Sequence, residues 1–119
     1  MTQAHFIEPD WPVPAGVRAL STLRTGGVCT GPYQGLNLGA HVGDAPEAVV
    51  ANRELLAQAA GLDGQPLWLD QVHSPRAVYA HDWQADIQAD ACVALSPGQV
   101  CAIMTADCLP VLFCDQSGK

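Results

Sequence analysis

The spacing of apolar and polar residues changes character along this chain. Between Asp44 and Gly61, Val49, Val50, Arg53, Leu56 and Ala60 recur at the spacing of a helix that buries one face. Asp44 reads as its N-cap, Pro46 falls in the first turn, Glu47 follows Asp44 as in a capping box, and Gly61 supplies the stop. A helix over 45–60 is therefore predicted. Upstream, Trp11 to Gly16 is turn-rich, and Val17 to Thr22 alternates like a strand. From Arg24 to Gly43 the chain carries glycines at 26, 27, 31, 35, 39 and 43, with Pro32 and Asn37, which predicts a folded-back loop. Downstream, the stretches 67–72, 77–80, 91–95, 100–105 and 110–114 are short apolar or β-branched runs and predict strands. The run Val100 to Met104 does not alternate, which predicts a strand covered on both faces. Asp115-Gln116-Ser117-Gly118 then predicts a turn. A strand over 111–114 followed by that turn lacks a sequential partner before Lys119, so a truncated chain with an open edge is expected.

Composition narrows the classes of function. With 119 residues, 49% of them hydrophobic and 14% charged, the chain suits one globular domain rather than a disordered segment. Twelve acidic residues against five basic ones leave a net charge of -7, and Lys119 is the sole lysine. That balance opposes sequence-independent binding to nucleic acid or to an anionic membrane. A small anion can still be held by one arginine and backbone amides. No apolar run approaches the roughly 20 residues that span a bilayer, and no basic-then-apolar leader opens the chain, so it reads as cytoplasmic. Five cysteines at 29, 92, 101, 108 and 114 include no Cys-x-x-Cys pair, which argues against a disulfide framework or a self-contained zinc finger. Cys101 and Cys114 lie inside apolar runs and read as small hydrophobes.

Candidate chemistry gathers where apolar runs break off. His73 follows Trp68-Leu69-Asp70-Gln71-Val72 and precedes Ser74-Pro75, so a turn at a strand end re-aims its imidazole. Cys108 follows Asp107 and precedes Leu109-Pro110; the proline lacks an amide donor and biases Leu109 towards extended backbone, interrupting the strand beside the thiol. A histidine nitrogen and a thiolate can bind a zinc-like ion together or form a nucleophile and base pair. A catalytic zinc site takes three protein ligands, and His41 and His81 are candidates for the third. Asp107 either ligates, orients an imidazole or caps its turn. Arg24, in Arg24-Thr25-Gly26-Gly27, sets a guanidinium beside backbone that can approach a phosphate-sized anion. Asn37 either braces the loop or faces a substrate. Trp11, Trp68 and Trp83 read as packing residues.

These residues fall in motifs that resemble a known family. Ser21-Thr22-Leu23-Arg24-Thr25-Gly26-Gly27-Val28, Leu36-Asn37-Leu38-Gly39-Ala40-His41-Val42-Gly43-Asp44, Asn52-Arg53, Trp68-Leu69-Asp70-Gln71-Val72-His73 and Met104-Thr105-Ala106-Asp107-Cys108-Leu109-Pro110-Val111-Leu112-Phe113-Cys114 resemble the YfiH-type purine nucleoside phosphorylases. These are also described as laccase-domain or polyphenol oxidase proteins. The resemblance implies an α/β fold, a mixed sheet with flanking helices, and a zinc held by histidine, cysteine and a second histidine. His73 and Cys108 match the first two ligands, and both are implied as catalytic. The third belongs to a His-Ala-Gly-Trp-Arg-Gly motif expected beyond Lys119. The chain is thus expected to be the N-terminal portion of a single domain whose remainder is absent. Cys108 is either a ligand alone or a ligand that also acts as nucleophile.

The implied reaction is phosphorolysis of adenosine and related purine nucleosides, with adenosine deamination as a second activity, so the partners are a purine nucleoside and phosphate. Arg24 and Asn37 match the loop bordering the family's pocket and are implied as substrate-binding. Cys29 and Ser74 depart from the serine and the glycine usual at their positions. Two other readings compete. Copper-dependent polyphenol oxidation is disfavoured by composition, because four scattered histidines cannot form multicopper clusters. The third is a non-catalytic binding or assembly fragment, expected to need a partner for its open edge.

Overall fold

The computed structural model describes residues 4–40, 42–62, 64–106 and 108–118. They form two compact units, one of Met1–Trp11 with Arg18–Gly64 and one of Pro12–Val17 with Gln65–Lys119. Both strands and helix are present, in agreement with the α/β class.

In the first unit, β1 (Ala4–Ile7) pairs antiparallel with β2 (Ser21–Gly26), with Phe6 opposite Thr22 and a register irregularity between Ala4 and Phe6. The strand expected over 17–22 is displaced: pairing starts at Ser21 and runs into the glycine-rich segment, because β1 supplies its partner only there. α1 (Pro46–Ala60) has the predicted length and packs on β1. Its buried residues Val49, Asn52, Leu56, Ala57 and Ala60 share one face, whereas Val50 is exposed. Gly61 closes the helix in the left-handed conformation at φ 69°, where glycine lacks the Cβ penalty. The expected N-cap is corrected: Ala45 holds that position with no side-chain cap, and the Asp44 carboxylate instead accepts from the amide of its neighbour Ala45 and from Asn37.

In the second unit, β3 (Ala77–Tyr79) pairs parallel with β4 (Ala91–Val93), and Val78 lies opposite Cys92. Leu69, Val78 and Ala89 are buried together, with Trp83, Ile87, Cys92 and Ile103 packed against them. The expected strands at 67–72 and 100–105 are reduced to single parallel bridges, Leu67 to Cys101 and Asp70 to Gln88. Cys101 is exposed, contrary to the expectation of a strand covered on both faces and of a buried thiol. The stretch 110–114 forms no strand among the described residues, and Leu109 and Phe113 are 86% and 88% exposed. Apolar composition favours a strand only where another segment supplies backbone partners. The turn at 115–118 forms as predicted, closed by the Gly118 amide donating to the Asp115 carbonyl at 3.2 Å.

Candidate functional site

His73 owes its position to a strand that stops and a carboxylate that replaces it. Asp70 is tied to the neighbouring segment, its amide donating to the Ile87 carbonyl at 2.9 Å and its carbonyl accepting from Ala89 at 3.2 Å. Beyond Gln71 the chain turns, and His73 takes φ 60°, a left-handed conformation costly for a residue with a Cβ. Asp90 holds this turn: its carboxylate accepts from the amides of Val72 at 3.1 Å, His73 at 3.0 Å and Ser74 at 2.8 Å, and from the Ser74 hydroxyl at 2.8 Å. The Ser74 amide above all, helped by the Ser74 hydroxyl and the Val72 and His73 amides, holds the Asp90 carboxyl down to about 2 despite desolvation in the other direction. The amides are thereby satisfied by one side chain, and His73 remains exposed.

Cys108 belongs to the adjoining segment of the same unit. The Val100 carbonyl accepts from Leu67 at 2.9 Å, and four residues on the Gln71 side chain takes over from the backbone. Its Nε2 donates to the Met104 carbonyl at 2.8 Å, and its Oε1 accepts from the Met104 amide at 2.7 Å. Gln71 therefore ties the chain two residues before His73 to the chain four residues before Cys108, whose thiol is exposed. Imidazole and thiol are donors suited to zinc, so His73 and Cys108 fit the implied metal in kind. Among the described residues no group of three or more His, Cys, Asp or Glu is arranged to hold a metal. Of the candidates for a third ligand or its support, His41 and Asp107 lie outside the described residues. His81 stacks on Tyr79 at 5.2 Å and lies 3.5 Å from the Asp82 carboxylate, an arrangement local to its own turn.

Arg24 and Asn37 lie in the other unit. Arg24 is exposed on β2 with no side-chain partner among the described residues, while its carbonyl accepts from Leu36 at 2.9 Å. Asn37 is a brace: it accepts from the Gly39 amide at 3.1 Å and donates to Asp44 at 3.0 Å. The loop is centred on Asn52, which is 0% exposed. Asn52 donates to the Gly35 and Asn37 carbonyls and to the Cys29 sulfur, and accepts from the Val28 amide. Burial first, then the Asp44 carboxylate, pushes the Cys29 thiol up, and the Cys29 thiol with the Asn37 amide holds Asp44 down. Because the thiolate is the reactive form, the exposed Cys108 should be alkylated before Cys29 and before Cys101, whose thiol is pushed up to about 12 by desolvation first and then by the neighbouring Cys92. Mass-spectrometric mapping of an iodoacetamide time course checks that order.

Sequence reasoning missed Asn52, Gln71 and Asp90. The one available signal was Asn52, a polar residue three positions after Val49 on the buried helical face. Gln71 lies in the Trp68–His73 motif and Asn52 in Asn52-Arg53, but neither motif shows which distant backbone its side chain bonds, and no local pattern marks Asp90.

A family model described as multi-copper polyphenol oxidoreductase laccase matches residues 18–119. The chain is 50% identical over 116 residues to a Shigella flexneri protein named purine nucleoside phosphorylase YfiH, covering 97% of this chain and 48% of the relative. It is 53% identical over 113 residues to a purine nucleoside phosphorylase of Pseudomonas aeruginosa, covering 95% and 46%. A crystal structure of a Neisseria meningitidis protein of the DUF152 family superposes with a TM-score of 0.86 at 51% identity, covering 95% of this chain and 46% of that one. The chain spans about half the length of the relatives it matches. With its ordered motifs, its fold and a family model covering residues 18–119 in agreement, the chain belongs to the laccase-domain family described as multi-copper polyphenol oxidoreductase, which includes the YfiH purine nucleoside phosphorylases.

Proposed function

We propose that this chain supplies part of the active site of a zinc-dependent purine nucleoside phosphorylase acting on adenosine and related nucleosides in the cytoplasm. The observation that carries the reading is the exposed His73 imidazole and Cys108 thiol on segments tied by Gln71. In phosphorolysis a phosphate oxygen bonds to the anomeric carbon of the ribose as the bond to the purine nitrogen breaks; the bonding pair leaves with the base, which takes up a proton. His73 and Cys108 would hold the zinc, with the third donor from the histidine motif expected beyond Lys119. When bound, zinc supplies a Lewis acid for charge developing on reacting groups. The resemblance assigns the phosphate to the Arg24 guanidinium, and Asn37 braces its own loop through Gly39 and Asp44. Adenosine deamination is a second reaction of the same reading.

The test is to assay the 119-residue chain alone, and joined to the C-terminal half of the Shigella relative, with adenosine and phosphate, with and without copper. The joined protein is expected to release adenine and ribose-1-phosphate without copper. The isolated chain, with two of three donors, is expected to bind zinc weakly and turn nothing over. Copper-dependent oxidation of a phenol without phosphorolysis overturns the reading, and turnover by the isolated chain overturns the incomplete site.

A further inference from the structure

We infer that Asp90 and Gln71 are positioning residues that set the His73 imidazole and the Cys108 thiol in place before a metal arrives. The inference rests on the zinc reading above and names the residues that preorganise its two ligands. Asp90 acts on His73 through backbone rather than through the ring. Its four accepted hydrogen bonds come from three consecutive residues, Val72 to Ser74, with His73 in the middle. Three consecutive amides converge on one carboxylate only when the chain curls around it, and the left-handed φ of 60° at His73 accompanies that curl. A left-handed φ is unfavourable for a residue with a Cβ, and charge-assisted bonds to the carboxylate oppose that cost. Without Asp90 the turn has no other described partner for these amides.

Gln71 acts on the second ligand. Its amide group pairs with both the amide and the carbonyl of Met104, the pattern a strand neighbour would make. Regular pairing between these segments is confined to the bridge at Leu67 and Cys101, so the Gln71 side chain extends the connection towards Cys108. Thus one residue bends the His73 chain and another anchors the Cys108 chain. Neither touches the His73 ring or the Cys108 thiol in any described contact, so both act through the backbone that carries the ligands.

The test measures zinc affinity of the 119-residue chain by competition with a chromophoric chelator, alongside hydrogen exchange of the Val72, His73 and Ser74 amides without metal. His73→Ala and Cys108→Ala are the controls for the ligands. Asp90→Asn and Gln71→Ala are each expected to weaken zinc binding by about tenfold, and Asp90→Asn, which keeps one of the two acceptor oxygens, to lower the protection of the three amides. Melting curves confirm folding at the assay temperature. Should Asp90→Asn unfold, Ser74→Ala, which removes one of the four contacts, is expected to weaken binding by roughly twofold to threefold. If the ligand controls lose zinc while Asp90→Asn and Gln71→Ala bind it as the wild type does, this inference is overturned and the zinc reading stands. Zinc binding unaffected by His73→Ala and Cys108→Ala overturns both.

Discussion

Asn52→Ala should lower the unfolding free energy by about 3 to 5 kcal/mol, although Asn52 touches neither candidate ligand. Its side chain is wholly buried and serves four partners at once, the Val28 amide, the Cys29 sulfur and the Gly35 and Asn37 carbonyls, at 2.9 to 3.2 Å. Truncation takes from the Val28 amide and the Asn37 carbonyl the partner that Asn52 supplies, while the Gly35 carbonyl keeps the Cys29 amide, and each orphaned buried group costs about 1 to 3 kcal/mol. Domains of this kind are stable by only about 5 to 15 kcal/mol, so the variant gives up a large share of that margin. Urea titration checks it, with a lower midpoint at unchanged slope as the expected result. Asn52→Asp preserves the volume but turns an oxygen towards the Gly35 and Asn37 carbonyls, and should cost at least as much. A loss below about 1 kcal/mol for both variants would mean that the loop is held by its backbone bonds alone.

Gly35→Ala should be nearly as damaging, for a different reason. Gly35 sits at φ 106°, and a Cβ there would overlap the Arg24 carbonyl oxygen, which already accepts from Leu36 at 2.9 Å. The obstacle is backbone of β2, which cannot swing aside as a side chain can. A loss of about 3 kcal/mol or more is expected. Gly31→Ala is the control, since Gly31 also has a positive φ, 64°, but nothing lies within 4 Å of the added Cβ. Its cost should be about 1 kcal/mol, from backbone strain alone. Thermal melts separate the two, at roughly 4 to 8 °C per kcal/mol for a small domain. Equal shifts would show that strain, and not the close approach to Arg24, governs Gly35.

Both variants strike the segment that carries Arg24 and Asn37, and they show what the glycine-rich stretch is for. Glycine at 27 and 35 allows the chain to fold onto itself, and a Cβ at Gly27 would stand 2.5 Å from the Gly35 carbonyl oxygen and 2.6 Å from Asn52. The folded-back loop was legible from glycine spacing, because those positions admit backbone that other residues avoid. Its keystone was not, because Asn52 lies on a helix that the spacing places well but whose buried partner is a loop remote in sequence.

Local chemistry determined what was decided within a turn or two of the chain. The helix over 46–60, its stop at Gly61, the turn at 115–118 and the break in regular structure at His73 follow from side-chain spacing, from glycine's freedom and from residues that bond their own neighbours. Motif order added the family, because several short patterns in sequence are far more specific than any one. Tertiary structure alone decided the pairing. β1 gained its role by meeting β2, the runs at 67–72 and 100–105 lost regular pairing, and 110–113 stayed exposed. A strand is stable only with a neighbour, and the neighbour is set by the whole fold. The same holds for the frame around His73 and Cys108. Asp90 stands outside every motif and Gln71 inside one that does not show its partner, yet a carboxylate that gathers three amides and an amide that imitates a strand exist only once segments far apart in the chain are brought together.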